Sequence, residues 1–253
     1  MHITQTLVAG AELSLPADTA HYLGTVLRAR EGDAVRVFNA ADGEFDAVVS
    51  KSKKGNVDVI LGECVRVPEQ ASALTLHLAL GLSRGDRMDY AIQKATELGV
   101  TEITPLFTEH GEVRLKPDRL ENKLRHFEKI AINAAEQCGR LDVPVINTPL
   151  SLDAFLAQET NAKRLLLEPG GEQRLTASQA LTDIQLLIGP EGGFSEQEVA
   201  QARASNCEIM HPRAGARHGA IDRHRVLRDL PRPHDHVPSR GPDPRLRVPH
   251  HRQ

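Results

Sequence analysis

The stretch Leu186-Leu-Ile-Gly-Pro-Glu-Gly-Gly-Phe-Ser195 decides the fold of this chain. An apolar strand runs into a glycine-rich turn, and Ser195 with Glu198 has the spacing of a capping box that begins a helix. In an open α/β sheet, ligands bind at the carboxyl ends of strands, where such a turn lies. The turn is therefore either a ligand-binding loop or a plain strand-to-helix connection. A phosphate loop is disfavoured, because no Lys-Ser or Lys-Thr follows the glycines.

Residues 74–210 around this stretch alternate between strand and helix patterns. This alternation predicts an α/β fold, a parallel sheet with helices on both faces. One helix is predicted from about Asp86 to Leu98, and a longer one begins near Pro117 with an apolar stripe that ends at Cys138. Strands are predicted at residues 74–80, 100–107, 164–167 and 185–188.

Residues 1–67 form a separate β-rich module in the sequence. Strand periodicity and turn residues predict strands over 34–38, 44–50 and 57–60. Ahead of them, residues 18–28 are predicted to form one short helix. The polar, proline-containing segment 66–70 is predicted to be a linker. Lys51, Lys53 and Lys54 form a basic run on a predicted hairpin, either a phosphate contact or a soluble turn.

The composition narrows the class of protein. The chain has 253 residues, of which 40% are hydrophobic, and no run approaches the roughly 18 apolar residues of a membrane span. Three cysteines, far apart and odd in number, disfavour a disulfide framework or a zinc cluster. We therefore expect a cytoplasmic protein with no secretory signal, no membrane segment and no metal.

Four segments carry a family resemblance. The stretch 188–199 (IGPEGGFSEQEV) is similar to the signature of the ribosomal RNA small subunit methyltransferase E family, a SPOUT-class family. The segment 21–28 (HYLGTVLR) resembles the motif of its N-terminal PUA-like domain, and 84–100 and 134–140 resemble two further family stretches. The resemblance covers about residues 15–200, and the four motifs together, in order, are specific.

The resemblance implies a fold and a function. It implies a PUA-like RNA-binding β-barrel at 1–67 and a knotted SPOUT methyltransferase domain at 74–210. The implied reaction is transfer of a methyl group from S-adenosylmethionine to N3 of a uridine in 16S rRNA of the small ribosomal subunit. SPOUT sites usually form at a dimer interface, so a homodimer is expected.

The resemblance also implies site residues. For the cofactor these are Leu167, Ile188, Gly189, Pro190, Glu191, Gly192 and Gly193. For RNA they are His21, Arg28, Arg84, Lys94 and Gln137. The catalytic candidates are Glu97, Glu136 and Arg140, and spacing does not choose between Glu97 and Glu136 as the base.

Structural roles compete with these assignments. Lys94 and Glu97 lie three residues apart, which suits a weak ion pair on a solvated helix face. Arg140 follows the predicted end of a helix and could simply cap it, because helix C-termini attract cations.

Residues 211–253 depart from the family pattern. They contain ten Arg and no Lys, Glu or aromatic residue, where the family has a Leu-Arg-Thr-Glu-Thr-like loop and an apolar helix that complete the pocket and the knot. Three interpretations are open: a disordered basic tail that binds RNA, a metal-binding His tract, or an out-of-frame translation of a GC-rich gene. We favour the last, because the change begins where the missing element should begin.

Two other functions remain as alternatives. Loss of the C-terminal element would leave a catalytically inactive RNA-binding remnant. An unrelated α/β hydrolase or nucleotide-binding protein is the weaker alternative, because the chain lacks a nucleophile elbow, a P-loop lysine and a metal cluster.

Overall fold

Two β-sheets organise the protein, a four-stranded sheet followed by an eight-stranded one. The structure, a computed structural model, describes residues 1–53, 55–68, 74–111, 117–171, 173–174 and 182–211. The predictions made for the tail, for the knot it would complete and for Lys54 lie outside the described residues.

The first sheet is antiparallel, with strand order β1-β4-β3-β2. Its strands are β1 (Glu12–Ser14), β2 (Ala34–Asn39), β3 (Gly43–Lys53) and β4 (Asn56–Arg66). The three predicted strands are confirmed as β2, β3 and β4. Alternate side chains of these strands form a buried core, which includes Val37, Phe45, Val49, Val59 and Leu61.

The single helix predicted over residues 18–28 is wrong in detail. A short helix α1 (Ala17–His21) passes into one π-helical turn (Tyr22–Val26), called the π-turn below. Arg28 then has a φ of 55°, in the left-handed region. Glycine and β-branched residues at Gly24, Thr25 and Val26 favour the α-helix weakly, so tertiary packing sets the local backbone here.

The second sheet is parallel, as predicted, and its main strand order is β10-β12-β9-β11-β5-β6-β7. The short strand β8 pairs with β6 beside β7. Its strands are β5 (Thr75–Gly81), β6 (Glu102–Phe107), β7 (Val145–Ile146), β8 (Leu150–Ser151), β9 (Lys163–Leu167), β10 (Gln173–Arg174), β11 (Asp183–Ile188) and β12 (Glu208–His211). The strand that carries the glycine-rich turn, β11, lies at the centre, between β9 and β5.

Helices cover both faces of this sheet, as expected. They are α2 (Asp86–Glu97), α3 (Pro117–Cys138), α4 (Leu152–Leu156) and α5 (Glu196–Ala204). Met88 of α2 and Phe127 of α3 belong to the core on one face, whereas Phe155 of α4 and Ala202 of α5 belong to the core on the other. Cys138 is exposed, so the stripe predicted on α3 ends before it. In the described chain, no helix has the length and apolar character that crossing a membrane requires.

Candidate ligand site at the carboxyl edge of the parallel sheet

The glycine-rich turn, residues 189–194, leaves the carboxyl end of β11 and enters α5. It closes through a hydrogen bond from the amide of Gly193 to the carbonyl of Pro190, 3.0 Å. The predicted capping box is confirmed: Ser195 Oγ accepts from the amide of Glu198 at 3.2 Å, and Glu198 Oε2 accepts from the amide of Ser195 at 2.9 Å. The beginning of the helix therefore fixes one end of the turn.

Neighbouring segments hold the turn closely. A Cβ atom at Gly81, the last residue of β5, would lie 2.4 Å from the backbone nitrogen of Pro190. A Cβ atom at Gly192 would lie 3.0 Å from Cβ of His110, whose Nδ1 is 3.1 Å from the carbonyl oxygen of Gly192. Packing within the protein thus explains why Gly192 has no side chain, without any ligand.

Gly193 differs, because it faces open space. Its φ of 71° favours glycine, and among the described residues a Cβ atom there would meet only Glu168 Oε2, at 4.0 Å. Glu168 directly follows β9, and Leu167 and Ile188 are fully buried at the ends of β9 and β11, so they support the turn from below. Among the described residues, Glu168 is therefore the side chain that Gly193 faces.

Three buried polar atoms at this edge lack a hydrogen-bond partner in the described part of the chain. They are Oε2 of Glu168, Oγ1 of Thr108 and Nδ1 of His211. Each residue ends or follows a strand, namely β9, β6 or β12. Burial without a partner raises the pKa of the Glu168 carboxyl above its ordinary range. Because native proteins rarely leave buried polar atoms unsatisfied, each of these atoms marks a position along the edge where a ligand could bind.

Positive charge lies at the beginning of α2, close to the turn. Arg87 Nη1 is 3.1 Å from Glu191 Oε1, an ion pair that joins α2 to the turn. Arg84 precedes it by three residues and is exposed. Of the described residues predicted to bind RNA, Arg84 is the one whose segment, between Gly81 and Arg87, contacts the glycine-rich turn.

The remaining candidates of α2 lie far from the turn. Lys94 Nζ is 2.8 Å from both carboxylate oxygens of Glu97, so the predicted ion pair is present. Glu97 lies ten residues beyond Arg87, which at 1.5 Å per residue is about 15 Å along the helix. Because α2 returns from the carboxyl edge of β5 to the amino edge of β6, this pair lies at the opposite edge of the sheet.

Glu136 and Arg140, at and just beyond the end of α3, lie at the same far edge, and both contact other parts of the chain. Arg140 donates to the carbonyl of Thr96 and, at 3.2 Å, to that of Val100, and it pairs with Asp142. It therefore caps the C-terminus of α2, a neighbour, rather than that of its own helix. Glu136 Oε1 accepts a hydrogen bond of 2.8 Å from the amide of His2.

The two modules meet at this end of α3. The Arg66 guanidinium, at the end of β4, donates to the carbonyl of Gly139 at 2.7 Å. Gln137 is exposed beside it. Within one chain, the catalytic candidates Glu97, Glu136 and Arg140 are thus not brought to the glycine-rich turn. Their catalytic role stays a prediction, and it requires residues of a second copy of the chain.

The two RNA candidates of the first module flank the π-turn. His21 Nδ1 is 3.3 Å from Thr25 Oγ1, and Arg28 is exposed. Lys51 Nζ lies 3.6 Å from Asp58 Oδ2, so the positive charge of the neighbouring hairpin is partly neutralised.

Three residues of the carboxyl edge were not predicted from the sequence: Arg87, His110 and Glu168. A carboxylate directly after an apolar strand, as in Leu167-Glu168, was a usable signal, because that position projects to the carboxyl edge. No signal within the sequence connects His110 to Gly192, which lies 82 positions away.

Family models match both modules of the chain. Residues 15–62 match an RNA methyltransferase PUA domain, and residues 70–211 match an RNA methyltransferase domain. The chain is 33% identical over 204 residues to ribosomal RNA small subunit methyltransferase E of Rickettsia conorii, covering 79% of this chain and 80% of the relative. It is 29% identical over 201 residues to the Buchnera aphidicola (subsp. Schizaphis graminum) protein of that name, covering 79% and 81%.

Solved structures agree with these matches. A methyltransferase from Legionella pneumophila, in complex with the cofactor SAM, superposes with a TM-score of 0.80 at 30% identity, over 89% of this chain and 93% of the other. Ribosomal RNA small subunit methyltransferase E from Neisseria gonorrhoeae, bound to S-adenosyl methionine, superposes with a TM-score of 0.77 at 25% identity and the same coverage.

Proposed function

Because the chain belongs to the ribosomal RNA small subunit methyltransferase E family, we propose that it transfers a methyl group from S-adenosylmethionine to N3 of a uridine in 16S rRNA. The observation that carries this proposal is the position of Gly193, which faces Glu168 Oε2, a buried atom with no hydrogen-bond partner among the described residues. The two sit at the carboxyl edge of the central strand, the usual position of a ligand in such sheets.

The residues at this edge suit S-adenosylmethionine chemically. When bound, this cofactor supplies a sulfonium-activated, electrophilic methyl group, and it carries positive charge. Glu168 would offer that charge a carboxylate oxygen that has no partner among the described residues. The turn 189–193, held by Gly81 and His110, would keep the cofactor's surroundings fixed, which lowers the entropic cost of alignment.

A base must also accept the N3 proton of the uracil. Glu97 and Glu136 remain the candidates for this base, each supplied by the second subunit of a homodimer. Both carboxylates already accept hydrogen bonds within their own chain, Glu97 from Lys94 and Glu136 from His2. Because N3 is hidden in a base pair, the target uridine must be unpaired or flipped out.

Two measurements test this proposal. Titration calorimetry with S-adenosylmethionine should give one site for each chain. Small ribosomal subunits incubated with the protein and methyl-labelled cofactor should then yield 3-methyluridine in digested 16S rRNA, identified by mass spectrometry. Cofactor binding with methylation at another atom would overturn the N3 assignment alone, whereas a lack of binding would overturn the enzymatic function of this chain.

A second candidate function, an inactive RNA-binding remnant, follows from the tail. The match to the RNA methyltransferase domain ends at residue 211, where the composition changes to arginine, proline and histidine. In that case the chain should bind RNA but not the cofactor. If the tail is out of frame, another frame of the gene after codon 210 should encode a Leu-Arg-Thr-Glu-Thr-like stretch and an apolar helix. If no frame does, a natural basic tail is the better account.

A further inference from the structure

The π-turn exposes an unusual amount of apolar surface. Tyr22, Val26 and Leu27 are 48%, 60% and 55% exposed, whereas Leu23 between them is buried in the core of the first sheet. The amide of Leu27 donates to the carbonyl of Tyr22 at 3.0 Å, which closes the turn across five residues. Residues four and five positions apart therefore lie above one another, and the three exposed side chains share one face.

The backbone around this face departs from regular geometry twice in succession. The π-turn is followed, after Leu27, by Arg28, whose φ of 55° is rare for a residue with a side chain. Packing maintains both: Leu23 anchors the turn, and Ser52 Oγ donates to the carbonyl of Ala29 at 3.0 Å. Such strain persists only where surrounding structure enforces it, and it concentrates at binding sites.

Basic side chains lie near this face, although the exposed Glu31 and Asp33 follow them in the sequence. Arg28 and Arg30 are exposed, and the Arg28 guanidinium makes no hydrogen bond or ion pair to any described residue. The hairpin of β3 and β4 packs against the π-turn and carries Lys51 and Lys53 at its rim. An exposed aromatic ring with apolar neighbours and free guanidinium groups suits unpaired RNA, in which bases offer π-faces and phosphates offer charge.

We propose that Tyr22 is a stacking platform for an unpaired base of the RNA substrate, with Arg28 on the adjacent phosphate. Val26 and Leu27 extend the platform, so the π-turn serves a single strand rather than a duplex, in which both base faces are already stacked. This inference rests on the proposed function only for the identity of the RNA. Its test needs neither cofactor nor methyl transfer.

Tyrosine fluorescence provides a direct test. The full chain has two tyrosines and no tryptophan, so in Tyr90→Phe the emission comes from Tyr22 alone. Unlabelled single-stranded RNA of twelve nucleotides should quench that emission on binding, and the same strand annealed to its complement should quench it far less. Residues 212–253 have no tyrosine or tryptophan, so RNA bound only by the tail leaves the signal unchanged.

Measurements of RNA affinity distinguish the contribution of the Tyr22 ring from that of the Arg28 charge. Tyr22→Ala should weaken single-strand binding about tenfold with an unchanged salt dependence, and Tyr22→Phe should restore it. Arg28→Ala should also weaken binding, and it should reduce the slope of log affinity against log salt by about 0.7. Val145→Ala, which shortens an equally exposed side chain on the other sheet, is the matched control.

Unquenched emission at saturating RNA, or wild-type affinity in Tyr22→Ala, would overturn the inference while leaving the methyltransferase proposal intact. If Tyr22→Ala instead changes the sedimentation coefficient of the free protein and not its RNA affinity, the face is a protein contact and the inference is equally wrong. Failure of every variant, and of the wild type, to bind RNA would contradict the proposed function itself.

Discussion

At the amino edge of the parallel sheet, the buried guanidinium of Arg164 donates to four oxygens, whereas at the carboxyl edge the buried Oε2 of Glu168 has no described partner. Arg164 lies near the beginning of β9, and Glu168 directly follows its end. His77 repeats the satisfied pattern, with Nε2 2.7 Å from Thr104 Oγ1 and Nδ1 3.5 Å from Glu102. Among the described residues, Arg164 and His77 at the amino edge are therefore satisfied without a ligand, whereas Glu168 Oε2 at the carboxyl edge is not.

This difference separates residues that stabilise the fold from residues that are available for function. A satisfied buried network fixes one arrangement and needs nothing more. Unsatisfied buried groups cost free energy, which the protein tolerates where a ligand later satisfies them. Substitutions at the two edges should accordingly change different measurements.

The largest effect is expected at Arg164. Arg164→Met should lower the free energy of unfolding by about 4 kcal/mol, because it removes the donors of four oxygens, most of them carbonyls at the end of α4. Urea unfolding followed by circular dichroism measures this change. Lys163→Met, which removes only the neighbouring surface pair with Glu208, is the control and should cost less than about 1 kcal/mol. Equal losses in the two variants would contradict the assignment.

Gly193→Val should act on ligand affinity. In a chain that binds S-adenosylmethionine, it should weaken binding at least about tenfold, or 1.4 kcal/mol, because the branched side chain fills the open side of the turn. Unfolding should stay cooperative. Gly32→Val controls for backbone strain, because Gly32, in the loop before β2, also has a positive φ, 93°, and no described atom lies within 4 Å of its Cβ position. Unchanged cofactor affinity in Gly193→Val would remove this residue from the site.

The Glu168 carboxyl should make cofactor binding depend on pH. Its pKa is raised above the ordinary 4.5 by burial, so the folded, free protein holds the proton to higher pH than the unfolded chain does. Stability contributed by this group falls as pH rises above 4.5. A cationic ligand favours the ionised form, so affinity should increase over the same range, and Glu168→Gln should flatten that increase while Glu159→Gln does not. A slope that survives in Glu168→Gln would assign the titration elsewhere.

The smallest effect is expected at His77, within the satisfied network. Burial lowers its pKa below the ordinary 6.5, against the opposing effect of Glu102. Below pH 6.5 the unfolded chain therefore binds the proton more readily, and stability should fall by on the order of 1 kcal/mol as the pH decreases further. His77→Gln should reduce this dependence of stability on pH. Part of the dependence should remain in the variant, because burial also lowers the pKa of His2. An identical pH profile in wild type and His77→Gln would contradict this assignment.

Periodicity and end signals predicted the elements whose residues have strong local preferences. Pro117 at the beginning of α3, Ser195 with Glu198 at α5 and the buried stripe of α2 all follow from spacing alone. The π-turn did not, because its backbone depends on the burial of Leu23 and on contacts with a distant hairpin.

The site, like the fold, was predicted from the sequence only where local residues determine it. Resemblance and the strand-turn-helix pattern located the glycine-rich turn, but not Glu168, whose importance comes from being buried without a partner. The resemblance assigned Lys94 to RNA binding and Glu97 to catalysis, and these roles stay predictions. One-dimensional order did not show that α2 carries its two ends to opposite edges of the sheet, which places both residues far from the turn of their own chain.

The central position of β11 has a consequence for how the chain is made. Its neighbours β5 and β9 are both synthesised earlier, and Leu186 pairs with Leu78 across 108 positions of sequence. A nascent chain therefore presents two unpaired strand edges until β11 emerges from the ribosome, and long-range parallel pairing of this kind forms slowly. The strand that closes this gap is also the strand that carries the glycine-rich turn. The centre of the sheet and the glycine-rich turn are thus put in place together, only after nearly two hundred residues have been translated.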